Sequence, residues 1–177
     1  MASKATGKIL YDDSVGYEMC VAKLHEKANN MMLDEHNCGD KINALTYEDW
    51  QPLLALIPEI ENTTNYGQWS GGDKDEEGVV QLPYCVPSPI VSTFSQIVYD
   101  IPIIIEFRWG EWDEGRKIAG DKNFDFDATD LLVKCKLITA IVRNDRFCEG
   151  ALVAAFKSGL ILRLLKSIEK DVSAKRH

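Results

Sequence analysis

Histidine is scarce. The 177 residues include three, His25, His36 and His177, which leaves little material for imidazole-based acid–base chemistry or a histidine metal site. The five cysteines, Cys20, Cys38, Cys85, Cys135 and Cys148, are odd in number and form no C-x-x-C pair. A fully paired disulfide framework is thereby excluded, and reduced thiols in a cytoplasmic setting are expected. Basic charge is in deficit: 20 Lys+Arg stand against 28 Asp+Glu, for a net charge of -8. Direct nucleic-acid binding is not expected, because it needs a basic face to neutralise phosphates. No apolar run approaches the roughly 18 residues of a membrane span, and the start, MASKATGKIL, lacks the apolar stretch of a secretory signal. No membrane association is expected. The phosphate-loop, dinucleotide, zincin and nucleophile-elbow strings are absent, so no cofactor is implied and no catalytic residue is assigned.

Two weak constellations can be written down. Cys20, His25, His36 and Cys38 are possible zinc ligands by type, but their spacing is irregular, and surface residues of a polar leader are the simpler reading. Cys148 has Arg146 and Glu149 beside it and no histidine near it in sequence, so it lacks the base that would activate a thiol. No metal site is expected.

What is present is enough apolar material for a core: 45% hydrophobic against 27% charged residues. The patterning reads as mostly α (α+β), a single-domain helical bundle with a small β-hairpin. Residues 1–45 form a leader, partly helical and packed on the core, in which 15–33 suggests helix and Asn37–Asp40 a turn. The domain proper runs over 46–170, with 171–177 as a tail. Thr46 and Asp49 resemble a capping box ahead of the stripe Trp50, Leu53, Leu54 and Ile57. Pro58 ends or kinks that helix. Tyr66–Trp69 and Val79–Leu82 read as hairpin strands around the acidic loop Asp73-Lys74-Asp75-Glu76-Glu77. Pro83–Pro87 is extended. Ser88-Pro89 starts a helix, with the serine as a hydroxyl cap, that stops near Asp100. Ile103–Phe107 reads as a buried strand or core-crossing segment. Asp127 is the expected N-cap of a helix carrying Leu131, Leu132, Cys135, Ile138, Ile141 and Val142, and Gly150 and Gly159 divide two further helices. The last of these is flanked by a basic surplus.

The candidate functional residues are Arg143, Arg146, Trp112, Arg116 and Tyr84. The string Arg143-Asn144-Asp145-Arg146-Phe147-Cys148-Glu149-Gly150 brings two guanidinium groups to neighbouring helix positions, where they could grip a phosphate or carboxylate. Equally, Arg146 could pair with Glu149 or Glu114 and tie parts of the fold together. On that reading Arg146 is the structural arginine and Arg143 the more exposed. Trp112, among Glu111, Asp113 and Glu114, reads as an exposed or groove-lining ring close to Arg108 and Arg116, whereas Trp109 reads as core.

Four stretches together resemble a family of small uncharacterised bacterial and phage-associated domains. They are Trp50-x-x-Leu53-x-x-Leu56-Ile57-Pro58-Glu59-Ile60-Glu61, Pro83-Tyr84 to Ser88-Pro89, Trp109-x-x-Trp112, and Arg143-x-Asp145-Arg146-Phe147-Cys148-Glu149-Gly150-x-Leu152 with Phe156-x-x-Gly159. The resemblance covers about residues 46–170 and implies a mostly helical single domain without supplying an activity. Three functions follow as expectations. The first is a small acidic binding or regulatory protein that docks on a protein partner of basic character, in one version a phage-type inhibitor. The second is an enzyme or sensor that holds a small anion or nucleotide with Arg143 and Arg146 and stacks its base on Trp112 or Tyr84. The third is an assembly protein whose last helix packs on a second copy as a homo-oligomer.

Overall fold

A computed structural model describes residues 33–34, 37–74 and 76–175, all of them within the unit Met31–His177. Residues 15–32 of the expected leader helix, and Cys20, His25 and His36 of the zinc quartet, lie outside the described residues, and Leu33, expected to close that helix, is in a strand.

Strand β1 is Leu33–Asp34, and helix α1, Cys38–Ala44, follows. The turn expected at 37–40 is largely the first turn of α1, because Cys38 and Ile42 are fully buried on one helical face. Helix α2, Tyr47–Leu54, opens with the expected capping box: the Thr46 hydroxyl accepts the Asp49 N–H while Asp49 Oδ2 accepts the Thr46 N–H at 2.8 Å. The bonds that the Thr46 N–H and the Thr46 hydroxyl donate to Oδ2 hold the Asp49 carboxyl below its ordinary range. Pro58 resets the chain rather than ending it. After the turn at Ala55 and Leu56 a separate helix α3, Ile57–Asn62, starts with proline in its first turn.

The hairpin pairs differently from the sequence reading. Strand β2, Gly67–Ser70, lies antiparallel to β3, Tyr84–Pro87, with Gly67 opposite Pro87 and Ser70 opposite Tyr84. The proline-flanked segment is therefore the second strand, and Val80 makes an isolated bridge to Lys74. Proline keeps its neighbours extended, which suits an edge strand of a two-stranded sheet.

Helix α4, Pro89–Asp100, begins and ends where expected. The Ser88 hydroxyl does not cap it; that oxygen is buried without a partner among the described residues. Strand β4, Ile105–Glu106, pairs in parallel with β1, and Ile103, Ile104 and Ile105 are buried as expected. A 3-10 turn at Trp109–Glu111 then leads into α5, Asp113–Gly120, a helix not foreseen in the aromatic-acidic stretch. Helix α6, Leu131–Asn144, is capped by Asp130, whose Oδ1 accepts the Val133 N–H at 2.8 Å. Asp127, the expected cap, sits one turn earlier in a 3-10 turn capped by Asp125 and pairs with Lys170, which holds its carboxyl below the ordinary range. Helix α7, Ala151–Lys157, and helix α8, Leu160–Ala174, complete the chain. Their entry residues, Gly150 (φ 81) and Gly159 (φ 76), are left-handed, where glycine is favoured.

The described fold is mostly α with a small hairpin. Helix α8 packs against α2, α3, α6 and α7, and Ile161, Leu164, Leu165 and Ile168 are fully buried. Its helical pattern includes Asp171 and runs to Ala174, through most of the stretch expected as tail. The basic residues of α8 are used within the chain. Lys166 pairs with Glu61 at 2.5 Å, Lys170 with Asp127, and Arg163 donates to the Lys122 carbonyl at 2.8 Å. Cys135 is fully buried as expected, and burial pushes its thiol far up, so it packs as an unreactive apolar side chain.

Candidate functional site

Helices α5 and α6 and the turn before α5 enclose an open groove of about 180 Å³. Its lining includes Trp109, Trp112, Arg116, Leu137, Ile141 and Asn144, with Ala140 on the α6 side. On α6 these residues recur at i, i+3, i+4 and i+7, one face of a helix. The opposite face carries the fully buried Cys135, Ile138 and Thr139. The helix is thus apolar on two sides, one filled by the core and one left open to the groove.

The indoles are held in place by local contacts. Trp112 meets Phe107 edge to face at 5.5 Å, and Lys136 sits 5.1 Å above that phenyl ring. Trp112 also lies directly over Gly115. Trp109 is tilted against Phe147 at 5.8 Å, and Phe147 is 77% exposed. Arg116 donates to the Gly110 carbonyl at 2.6 Å and pairs with Asp113. Its guanidinium therefore closes the turn that presents both tryptophans and is a positioning group for the groove.

The remaining candidates lie elsewhere. Arg143 is half-buried in the last turn of α6, while Arg146 is exposed beyond the helix end. This reverses the expected order, because the helix stops at Asn144 and Arg146 falls in the turn that follows. Arg146 lies over the Tyr99 ring at 5.2 Å, and neither expected acid pairs with it. Glu149 Oε1 instead accepts the Cys85 N–H of the hairpin at 2.7 Å, and Glu114 is exposed. Tyr84 is on β3, 39% exposed, and does not line the groove. The five candidates thus do not converge: the groove takes Trp112 and Arg116 only.

The Arg143–Gly150 string builds a corner. Asp145 Oδ1 accepts the Leu152 N–H at 2.8 Å and so serves the start of α7. Glu149 holds the hairpin, and a Cβ on Gly150 would come within 3.1 Å of Trp69 and 3.3 Å of Cys85 Sγ. Because Arg146 is exposed and its guanidinium makes, among the described residues, a cation–π contact alone, Arg146→Ala is expected to lower stability by no more than about 1 kcal/mol. Chemical denaturation would check this, and a much larger loss would mean that the guanidinium carries a structural load.

Trp109, Leu137, Ala140, Ile141 and Asn144 were missed as groove residues. The α6 signal was present as the small Ala140 within an otherwise large apolar face, where the sequence reading assigned Ile141 to the core. Among the described residues no three metal-ligating side chains are gathered together, and no helix is long and apolar enough to cross a membrane.

Fold and groove define a small mostly helical domain with an apolar surface cleft. Residues 45–174 match the model of DUF6508, a family of unknown function, and the chain belongs to that family. Comparison with curated proteins and with solved structures gives no significant match.

Proposed function

We propose that this protein is a non-catalytic docking module that takes a large apolar side chain of a protein partner into the groove between α5 and α6. The observation that carries the reading is two tryptophans facing the small and aliphatic side chains of α6 across an open cleft of about 180 Å³. Sites for cofactors and drug-sized ligands usually occupy roughly 300–1,000 Å³. This cleft suits one anchoring side chain, the usual centre of an interface, with tryptophan and exposed Phe147 supplying contact area around it. The nucleotide reading is weaker, because Arg143, Arg146 and Tyr84 do not line the cleft. Assembly through the last helix is also weaker, since Arg163, Lys166 and Lys170 already engage groups of the same chain. The bacterial or phage association rests on the resemblance of the sequence motifs, and an inhibitory role on the acidic balance of the chain, net -8. A cytoplasmic setting accords with the free thiols of Cys85, Cys135 and Cys148.

Peptide-display selection against the whole chain tests the reading. Enriched sequences are expected to share a bulky apolar anchor and to bind Ala140→Phe at least about tenfold more weakly, a change of about 1.4 kcal/mol. Native mass spectrometry supplies the opposing outcome. A retained nucleotide lost on Arg143→Ala or Arg146→Ala, with no anchored peptide enriched, would replace docking with anion binding.

A further inference from the structure

The hairpin carries a second apolar surface, separate from the groove. Gly67–Ser70 pairs with Tyr84–Pro87, and after Gly71 and Gly72, both at positive φ, Lys74 makes an isolated bridge to Val80. Successive strand residues point to opposite faces, so Tyr84 and Val86 of β3 share one face, and the exposed Leu82 and Val80 continue the apolar surface along the chain toward the tip. The other face turns toward the body of the protein. A Cβ on Gly67 would meet Val153, and Gly150 approaches Trp69 and Cys85. The outward residues are 48%, 82%, 39% and 41% exposed, in order from Val80 to Val86. A hairpin packed on a core usually puts its polar residues outward; here one strand does the reverse.

The edge of the hairpin is less open than this face. The Cys85 N–H is already taken by Glu149 at 2.7 Å, which blunts β3 against addition of another strand. What remains for a partner is side-chain packing on the outward face. At the tip of the same hairpin stand the exposed acids Asp73 and Glu76, within the stretch Asp73-Lys74-Asp75-Glu76-Glu77. A second copy would bring two such tips and two chains of net charge -8 together, which like-charge repulsion opposes.

We infer that the outward face of the hairpin binds an extended protein segment in which apolar residues alternate with basic ones. The apolar side chains cover Leu82, Tyr84 and Val86, and the basic ones, which alternate away from that face, are drawn by the field of the acidic tip. Charge complementarity selects this occupant over a second copy of the chain.

The test uses the full chain and two synthetic peptides, one of Val-Lys repeats and one of Val-Glu repeats, with binding followed by calorimetry. The Val-Lys peptide is expected to bind, the Val-Glu peptide at least about tenfold more weakly, and added salt to weaken the first. The double variant Leu82→Ser with Val86→Thr should keep its melting temperature, because both side chains are exposed, and lose about tenfold in affinity. Ala140→Phe should bind the Val-Lys peptide as the unaltered chain does, which separates this surface from the groove. Absence of binding, or equal binding by the double variant, would overturn the inference. So would a dimer in sedimentation that the double variant dissolves, since the face would then join two copies.

Discussion

Asp171→Ala is expected to lower the unfolding free energy by about 3–5 kcal/mol, the usual consequence of leaving a buried charge without its partner. Lys134 is fully buried on α6, and its Nζ lies 2.6 Å from Asp171 Oδ2 on α8, whose side chain is 29% exposed. The partly exposed carboxylate keeps some contact with water, whereas the ammonium is enclosed among core residues. Removing the acid therefore does more harm than removing the base. Lys134→Met keeps an unbranched chain of similar length in the core and should cost far less, because replacing buried ion pairs by apolar groups is often neutral or stabilising. Combined with Asp171→Ala, it should recover most of the loss. Thermal unfolding of the two single variants and the double variant measures the coupling between the sites. At roughly 2–4 °C per kcal/mol for a chain of this size, the difference is easily resolved. A loss below about 1 kcal/mol for Asp171→Ala would mean that the ammonium reaches water once released, and that the pair is not what joins α6 to α8.

That pair also marks where sequence reading stops. Lys134 lies at i+3 from Leu131 and i-4 from Ile138, on the apolar face of the helix, but its charge reads as solvent-facing, and Asp171 falls in a stretch that composition assigns to a tail. Neither residue announces a contact 37 positions away in the chain. Local signals carried much further. The capping box at Thr46, the stripe from Trp50 to Ile57 and the two left-handed glycines that open α7 and α8 are short-range physics, and each was legible. Errors arose where two local readings were equally good. Asp127 and Asp130 both fit an N-cap, and the bond to the Val133 N–H decides for the second. Val79–Leu82 and Tyr84–Pro87 both suit a strand, and only the pairing distinguishes them. The groove was half legible. Trp112 drew notice through its charged neighbours, whereas Trp109 follows an apolar run and read as core. Nothing local reveals that α6 is apolar on two sides because one of them faces an unfilled cleft.

Gly115→Ala is expected to reshape that cleft, and the reason lies in two opposed effects. Alanine inside a helix is favoured over glycine by about 1 kcal/mol, which alone would make the variant more stable. A Cβ at this position, however, would lie 2.5 Å from Trp112 Cδ2 and nearer still to two other ring atoms. An indole ring cannot yield as the tip of a flexible side chain does. Trp112 must leave its place over α5 and its edge-to-face contact with Phe107. Overpacking of this kind typically costs about 1–3 kcal/mol, and the lost aromatic pair adds about 0.5–1.5 kcal/mol, so displacement outweighs the helix gain. A net loss of about 1–3 kcal/mol should accompany altered tryptophan fluorescence and near-ultraviolet circular dichroism. Affinity for groove-selected peptides should fall, while the Val-Lys peptide on the hairpin is unaffected. Gly120→Ala provides the comparison on the same helix: a Cβ there meets nothing within 4 Å, so no clash opposes the helix gain, which is smaller at the last residue of the helix. If both variants were stabilised alike and retained the parent fluorescence, Trp112 would not rest on Gly115, and the groove would lose the wall on which the docking reading depends.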